Sequence, residues 1–245
     1  MTTIALNLQH VRDRMLTACI AAARHPDTVH LLAVSKLFGA DAVREAVAAG
    51  QRAFGENYIA EGAEKIVALA DLRPQLQWHC IGPIQSNKTR LVAEHFDWVQ
   101  SVDRLKIAQR LSEQRPAGLA PLQVCIQVNI DGGANKSGVA PSELLTLARE
   151  VSQLPNLVLR GLMMIPEPAP DFVAACAINS SAKAVFDALN VELTAAGVPA
   201  LDTLSLGMTD DLEAAIHSGS TMVRVGSAVF GKRLARPSAE QATNA

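Results

Sequence analysis

The run AVSK at 33–36 ends an apolar stretch on a lysine, Lys36. Lysine is seldom fully buried unless it is paired or used chemically. Its amine could condense with an aldehyde or ketone to a Schiff base, and partial burial would leave more of it in the free nucleophilic form. Taken alone, Lys36 reads as a strand-end lysine reaching for solvent. The segment TMVRVGSAVFG at 221–231 changes that balance. Alternation along a strand puts Val223 and Val225 on one face and Met222 and Arg224 on the other. If the second face points inward, Arg224 needs an anion or acceptors, because an unpaired buried charge is very costly. The other reading of Arg224 is a structural pair with a core carboxylate. Gly226 lets backbone N–H groups approach an anion, and Ser227 adds a hydroxyl. SLGMTDD at 205–211 places Ser205 and Gly207 where further phosphate donors would lie, with a helix expected to be capped by Thr209. Gly207 reads equally as an ordinary turn glycine.

Other polar residues carry less. Asn57 could bond a ligand or cap a helix. His79 reads as a satisfied core histidine, and Met163 and Met164 as gap fillers, one of which could support a flat heteroaromatic ring. Lys136, in the glycine-rich DGGANKSG at 131–138, is a solvated loop charge or a second anion contact. Together these residues supply an amine for an aldehyde and a Gly/Ser/Arg cradle for a phosphate. Pyridoxal 5′-phosphate (PLP) carries both groups, and so does an open-chain sugar phosphate. Composition and spacing do not separate the two.

Short apolar strands must position these residues. Eight are expected: 29–35, 52–56, 77–82, 98–102, 122–130, 157–165, 201–207 and 221–231. Helical patterns fill 40–49, 57–70, 88–95, 103–114, 141–153, 171–196 and 209–218, and an additional N-terminal helix carries Leu8, Val11, Met15 and Ala18 on one face. Strands alternating with helices imply parallel pairing, and this number of units in 245 residues implies an α/β fold, a single-domain (β/α)8 TIM barrel over 1–233, with a disordered tail at 234–245. A doubly wound sheet is the competing layout, disfavoured by the lack of GxGxxG after the first strand. Barrel sites sit at the C-terminal ends of strands, where Lys36, Asn57, Ser205, Gly226 and Ser227 fall.

A net charge of −2 excludes a binder of nucleic acid that relies on bulk charge. The four cysteines form no CxxC pair, and no His/Cys cluster has zinc spacing, so no metal site is expected. The N-terminus lacks the apolar core of a secretory signal, and no apolar run approaches the roughly 20 residues that span a bilayer. A cytoplasmic, reduced protein without membrane contact is expected.

In order along 28–233, the motifs AVSK, FGENY, WHCIGPIQSNK, NKSG, RGLMMI, LSLGMTDDLEAAI and GSTMVRVGSAVFG resemble those of the YggS/PROSC family of PLP homeostasis proteins. The resemblance implies a barrel like the N-terminal domain of bacterial alanine racemase, without that enzyme's β-domain. It implies PLP held as a Schiff base on Lys36, with phosphate on Ser205, Gly226 and Ser227. Arg224 would face the pyridine nitrogen and disfavour its protonation, weakening the ring as an electron sink, and Asn57 and Met163 would line the ring. The implied role is intracellular PLP (vitamin B6) and amino-acid homeostasis without known catalysis, with PLP and PLP-dependent apoenzymes as partners and a monomer or weak homodimer. The alternatives are a weak amino-acid racemase and a Schiff-base aldolase. Racemisation needs an acid/base on each face of the α-carbon. In alanine racemase the second is a tyrosine from the partner subunit's other domain, and this chain has a single tyrosine, Tyr58. Two departures from the family stand out. Many members have Thr where Ser227 stands. Many continue AVSK with a Thr-Lys-Pro-like segment, where this chain has Leu37, Phe38 and Gly39. That change is expected to alter PLP exchange while leaving Lys36 competent.

Overall fold

The structure, a computed structural model, describes residues 2–133 and 136–231. The expected tail at 234–245 lies outside the described residues. In chain order the elements are α1 (Thr3–Ala21), β1 (His30–Val34), α2 (Ala40–Ala48), β2 (Ala53–Glu56), α3 (Ile59–Ala68), β3 (Gln77–Cys80), α4 (Thr89–His95), β4 (Trp98–Val102), α5 (Leu105–Gln114), β5 (Leu122–Val128), α6 (Pro141–Ser152), β6 (Leu157–Met164), α7 (Phe172–Ala195), β7 (Thr203–Ser205), α8 (Leu212–His217), β8 (Met222–Val225) and α9 (Ser227–Phe230).

The eight strands close in sequence order into a parallel barrel, β8 pairing with β1. Strands such as β4 and β8 are buried along their whole length, because helices cover one face and the barrel interior the other. Each helix turns an apolar stripe to the sheet, as Ile107, Ala108 and Leu111 do in α5. The N-terminal helix is part of this ring rather than an appendage. It packs against α8, α9 and α2, and Arg14 fixes it to Glu213 at 2.7 Å. Thus α1 covers the seam where the first and last strands meet.

Two expectations change. The segment 221–231 is not one strand. Gly226, at φ −110 and ψ −77, turns the chain out of β8, and its carbonyl accepts the N–H groups of Val229 and Phe230 at 2.9 Å each, starting α9. Thr209 does not cap the following helix. α8 starts only at Leu212, and Asp211 instead closes the preceding turn by accepting the Met208 N–H at 2.6 Å. The expectation of no membrane-length apolar run is untouched by α7, which is 24 residues long and reaches a mean hydropathy of 1.3 over an 18-residue window. Its apolarity is spread over many alanines rather than gathered in one continuous run. Here it is an outer-ring helix beside α6 and α8, burying Ala182, Phe186, Leu189 and Leu193.

Close approach fixes one glycine in the sheet. A Cβ on Gly161 would lie 1.7 Å from the carbonyl oxygen of Thr203 on the neighbouring strand. Gly161→Ala must therefore push β6 from β7. Urea denaturation should show it destabilised by about 3 kcal/mol, the upper part of the range for overpacking.

Candidate functional site

Closure of the barrel brings the ends of the chain's two most informative strands together. Leu32 is in register with Arg224 and Ala33 with Val225. A Cβ on Gly226 would come within 3.3 Å of the Val34 carbonyl oxygen, so a side chain there would press on the end of β1. Beyond β1 the chain makes a tight turn through Lys36 and Leu37, closed by Phe38 N–H to the Ser35 carbonyl at 3.1 Å. Leu37 takes φ +66, a left-handed conformation that costs an L-residue about 1–2 kcal/mol. Phe38 stacks on Phe230 of α9, with centroids 5.1 Å apart and planes at 28°. The apolar Leu-Phe-Gly segment thus straps the turn that follows Lys36 to the helix that follows Gly226.

These turns wall a cavity of about 530 Å³, with Lys36, Phe38, Asn57, Thr209, Arg224, Gly226 and Ser227 in its lining. That volume suits a small cofactor. Lys36 is half-buried. Asn57 has a buried Oδ1 with no hydrogen-bond partner. Its backbone is pressed by Gly82, where a Cβ would fall 2.1 Å from the Asn57 carbonyl oxygen. Such an orphaned acceptor in a cavity wall is what a bound polar group would satisfy. A larger cavity, about 980 Å³, opens at the opposite mouth of the barrel and is lined by Arg12, His30, Arg52 and Arg160. It lies at the N-terminal ends of the strands, away from Lys36, where barrels concentrate stability rather than chemistry.

Arg224 points into the barrel and is 5% exposed. One Nη donates to Ser205 Oγ at 2.8 Å and the other to the Met164 carbonyl at 2.9 Å. Ser205 Oγ donates to Gln100 Oε1 at 2.7 Å, and Gln100 Nε2 reaches His79 Nδ1 at 3.0 Å. Each member donates to the next, so the guanidinium polarises a chain ending on an imidazole that accepts. Burial lowers Arg224 to about 10, which leaves it a cation at neutral pH. Burial alone lowers His79 to about 3, so it is neutral.

The structure divides the expected site residues. Lys36, Asn57, Arg224, Gly226 and Ser227 meet around one cavity. Ser205, Gly207 and Met163 do not line it. Ser205 is fully buried and its hydroxyl is committed to Arg224 and Gln100. Gly207 serves the turn. It has φ +91, a Cβ there would strike that of Ala215 at 2.4 Å, and its carbonyl accepts the Arg224 N–H at 3.0 Å. Met163 packs in the interior with Trp98 and Cys125. Lys136 is held by Asp131 and Glu167 at 2.6 and 2.8 Å, outside this wall.

Sequence reasoning passed over Thr209, assigned to a cap. It also passed over a buried cluster behind Lys36. Lys65 Nζ lies 2.6 Å from Glu56 Oε1, 2.9 Å from the Ser35 carbonyl and 3.3 Å from Glu61 Oε1. Glu61 and Lys65 have the spacing of an ordinary surface pair, and nothing in the pattern marks Lys65 as buried. Burial is the leading influence on Glu56 and raises its carboxyl, against the pull of Lys65.

Comparison with known proteins gives a consistent result. Residues 6–234 match the family model "Alanine racemase, N-terminal domain". A Pseudomonas aeruginosa protein named "Pyridoxal phosphate homeostasis protein" is 59% identical over 233 residues, covering 95% of this chain and 97% of that one. The Escherichia coli K12 protein of the same name is 51% identical over 234 residues, covering 95% and 98%. Among solved structures, PipY of Synechococcus elongatus PCC7942 with PLP bound is 36% identical with a TM-score of 0.79, covering 94% of this chain and 100% of that one. Alanine racemase from Corynebacterium glutamicum, at 18% identity and a TM-score of 0.65, covers 94% of this chain and 61% of the enzyme and shares the fold.

The neutral His79 generates a pH prediction. Between about 3 and 6.5 the unfolded chain binds a proton at this position that the folded chain does not. Stability contributed by His79 is therefore complete above 6.5 and is lost as pH falls toward 3, by up to about 1.4 kcal/mol per pH unit. Urea denaturation across pH 4–8 should show this slope, and His79→Gln should flatten it.

Proposed function

The chain belongs to the pyridoxal phosphate homeostasis protein family, built on the alanine racemase N-terminal domain, and from that premise we propose that it binds PLP at the C-terminal mouth of its barrel as a homeostatic carrier rather than a catalyst. Bound PLP supplies an aldehyde for an amine and a phosphate for a donor cradle. The observation that carries this reading is the meeting of Lys36, Arg224 and Ser227 around one cavity whose wall also includes Asn57, with its unpartnered buried Oδ1.

In this reading Lys36 holds PLP as a Schiff base, the carbonyl oxygen leaving as water. Gly226 and Ser227 bind the phosphate, the former through its backbone and the latter also through its hydroxyl. Thr209, across the same cavity, takes the share that Ser205 would have supplied. Ser205 instead orients Arg224 from below. The Arg224 cation faces the pyridine nitrogen and keeps a proton off it. Asn57 would line the ring. Met163 and Gly207 support the floor and the turn without touching PLP.

A racemase would need a second acid/base opposite Lys36. Tyr58 is 52% exposed at the head of α3 and lies outside the cavity wall. We assign the protein to the cytoplasm, in keeping with free thiols at all four cysteines. There, as a monomer or weak homodimer, it would serve PLP-dependent apoenzymes and amino-acid balance.

Titration of the purified chain with PLP should raise the visible absorbance of a Schiff base to one equivalent, and Lys36→Ala should abolish it. Pyridoxal, lacking the phosphate, should bind at least about tenfold more weakly. Amino acids should keep their optical activity. Racemisation proportional to protein concentration would transfer the assignment to an enzyme, and a parent chain that never colours would remove PLP from the account.

A further inference from the structure

Lys36 is gripped from both sides by one helix. On its N-terminal side, the Ser35 carbonyl accepts Lys65 Nζ at 2.9 Å. On its C-terminal side, the Leu37 N–H donates to Glu61 Oε1 at 2.6 Å. Glu61 and Lys65 are one turn apart on α3 and are themselves joined at 3.3 Å. Lys65 is anchored in turn by Glu56 at the end of β2, whose Oε1 also accepts Ser35 Oγ at 2.6 Å. Lys65 is 5% exposed and Glu56 fully buried, so water does not compete for the bonds that Lys65 and Ser35 make to Glu56, whereas the Leu37–Glu61 bond lies at the exposed edge of the cluster.

We infer that Glu61 and Lys65 are positioning residues for Lys36, holding the peptide planes on either side of it so that its amine is presented to the cavity. The inference rests on the reading that Lys36 receives PLP. Its physical core is the left-handed Leu37, at φ +66. Leucine leaves that conformation readily unless something fixes its amide. Only while Leu37 stays there does its N–H meet the Glu61 carboxylate, a short charge-assisted bond. Relaxation to negative φ would turn the peptide that follows Lys36 and redirect the side chain. A staple serving stability alone would need only one of these two attachments.

The test is the rate at which the Schiff-base absorbance appears when PLP is mixed with folded apoprotein, followed with the thermal midpoint of each variant. Glu61→Ala should slow formation about tenfold, chiefly through loss of the charge-assisted hydrogen bond to the Leu37 N–H. Adding Leu37→Gly to that variant should restore the rate to within about threefold of the parent, because glycine holds positive φ without the carboxylate. Glu61→Gln keeps an acceptor for the Leu37 N–H, should load at about a third of the parent rate, and carries the test if the alanine variant does not fold. A Glu61→Ala chain with a lowered midpoint but normal loading overturns the inference, as does a double variant that loads no better than the single one. Lys36→Ala separates the two levels. If it colours like the parent, the Lys36 reading fails and takes this one with it. If it stays colourless while Glu61→Ala loads normally, only the positioning role fails.

Discussion

The closure of the sheet is the constraint from which the rest of the site follows. β1 and β8 are nearly the whole chain apart in sequence, yet they pair residue for residue, Leu32 with Arg224 and Ala33 with Val225. That register sets the turn bearing Lys36 beside the turn bearing Gly226 and Ser227. It also places Gly226 against the end of β1, where a Cβ would come within 3.3 Å of the Val34 carbonyl oxygen. α1 covers this seam from outside, and the Phe38–Phe230 stack ties the two turns across its top. Lys36 and the Gly226–Ser227 turn are thus set side by side by backbone pairing, with the aromatic stack tying them above it.

Beneath the cavity, the barrel had to accommodate a buried cation. Arg224 is satisfied by a serine hydroxyl and a backbone carbonyl instead of a carboxylate. A buried carboxylate partner would neutralise its charge, whereas neutral acceptors leave that charge available to whatever faces it. The chain through Ser205 and Gln100 to His79 spreads the polarisation into the core and requires the imidazole to stay neutral. The second ion-paired cluster, Glu56 with Lys65, lies behind Lys36. The cavity is therefore built on two buried polar networks, one beneath it and one behind Lys36.

Much of this was legible in the sequence. Alternating apolar strands and helical stripes gave the barrel, and the period-2 pattern in 221–225 placed Arg224 inside it. Reading the strand ends singled out Lys36, Asn57, Gly226 and Ser227, which line one cavity, because the end of a barrel strand is where a side chain or amide can face a ligand. The same rule set Ser205 at the mouth, whereas it does not line this cavity. β7 ends at that residue, but Ser205 is paired with Met163 and faces the interior, one layer below the mouth. The turn runs on to Met208 and Thr209, which reach the cavity. Lys65, Glu56 and Glu61 were illegible for another reason. Charged residues at helical spacing normally mark a solvated face, and only the tertiary packing of α3 behind the Lys36 turn buries Lys65. The left-handed Leu37 is equally invisible, since leucine carries no signal for positive φ.

The departure at Leu37-Phe38-Gly39 has a structural role here. Phe38 supplies the ring that stacks on α9, and Leu37 supplies the amide that Glu61 holds. All of this serves one claim, that Lys36 is the amine that receives the cofactor. The most direct measurement is borohydride reduction of the PLP-loaded chain, then protease digestion and mass spectrometry of every lysine-containing peptide. The account predicts a single stoichiometric pyridoxyl-phosphate adduct, on Lys36. An adduct mainly on Lys136, Lys65 or any other lysine would contradict it.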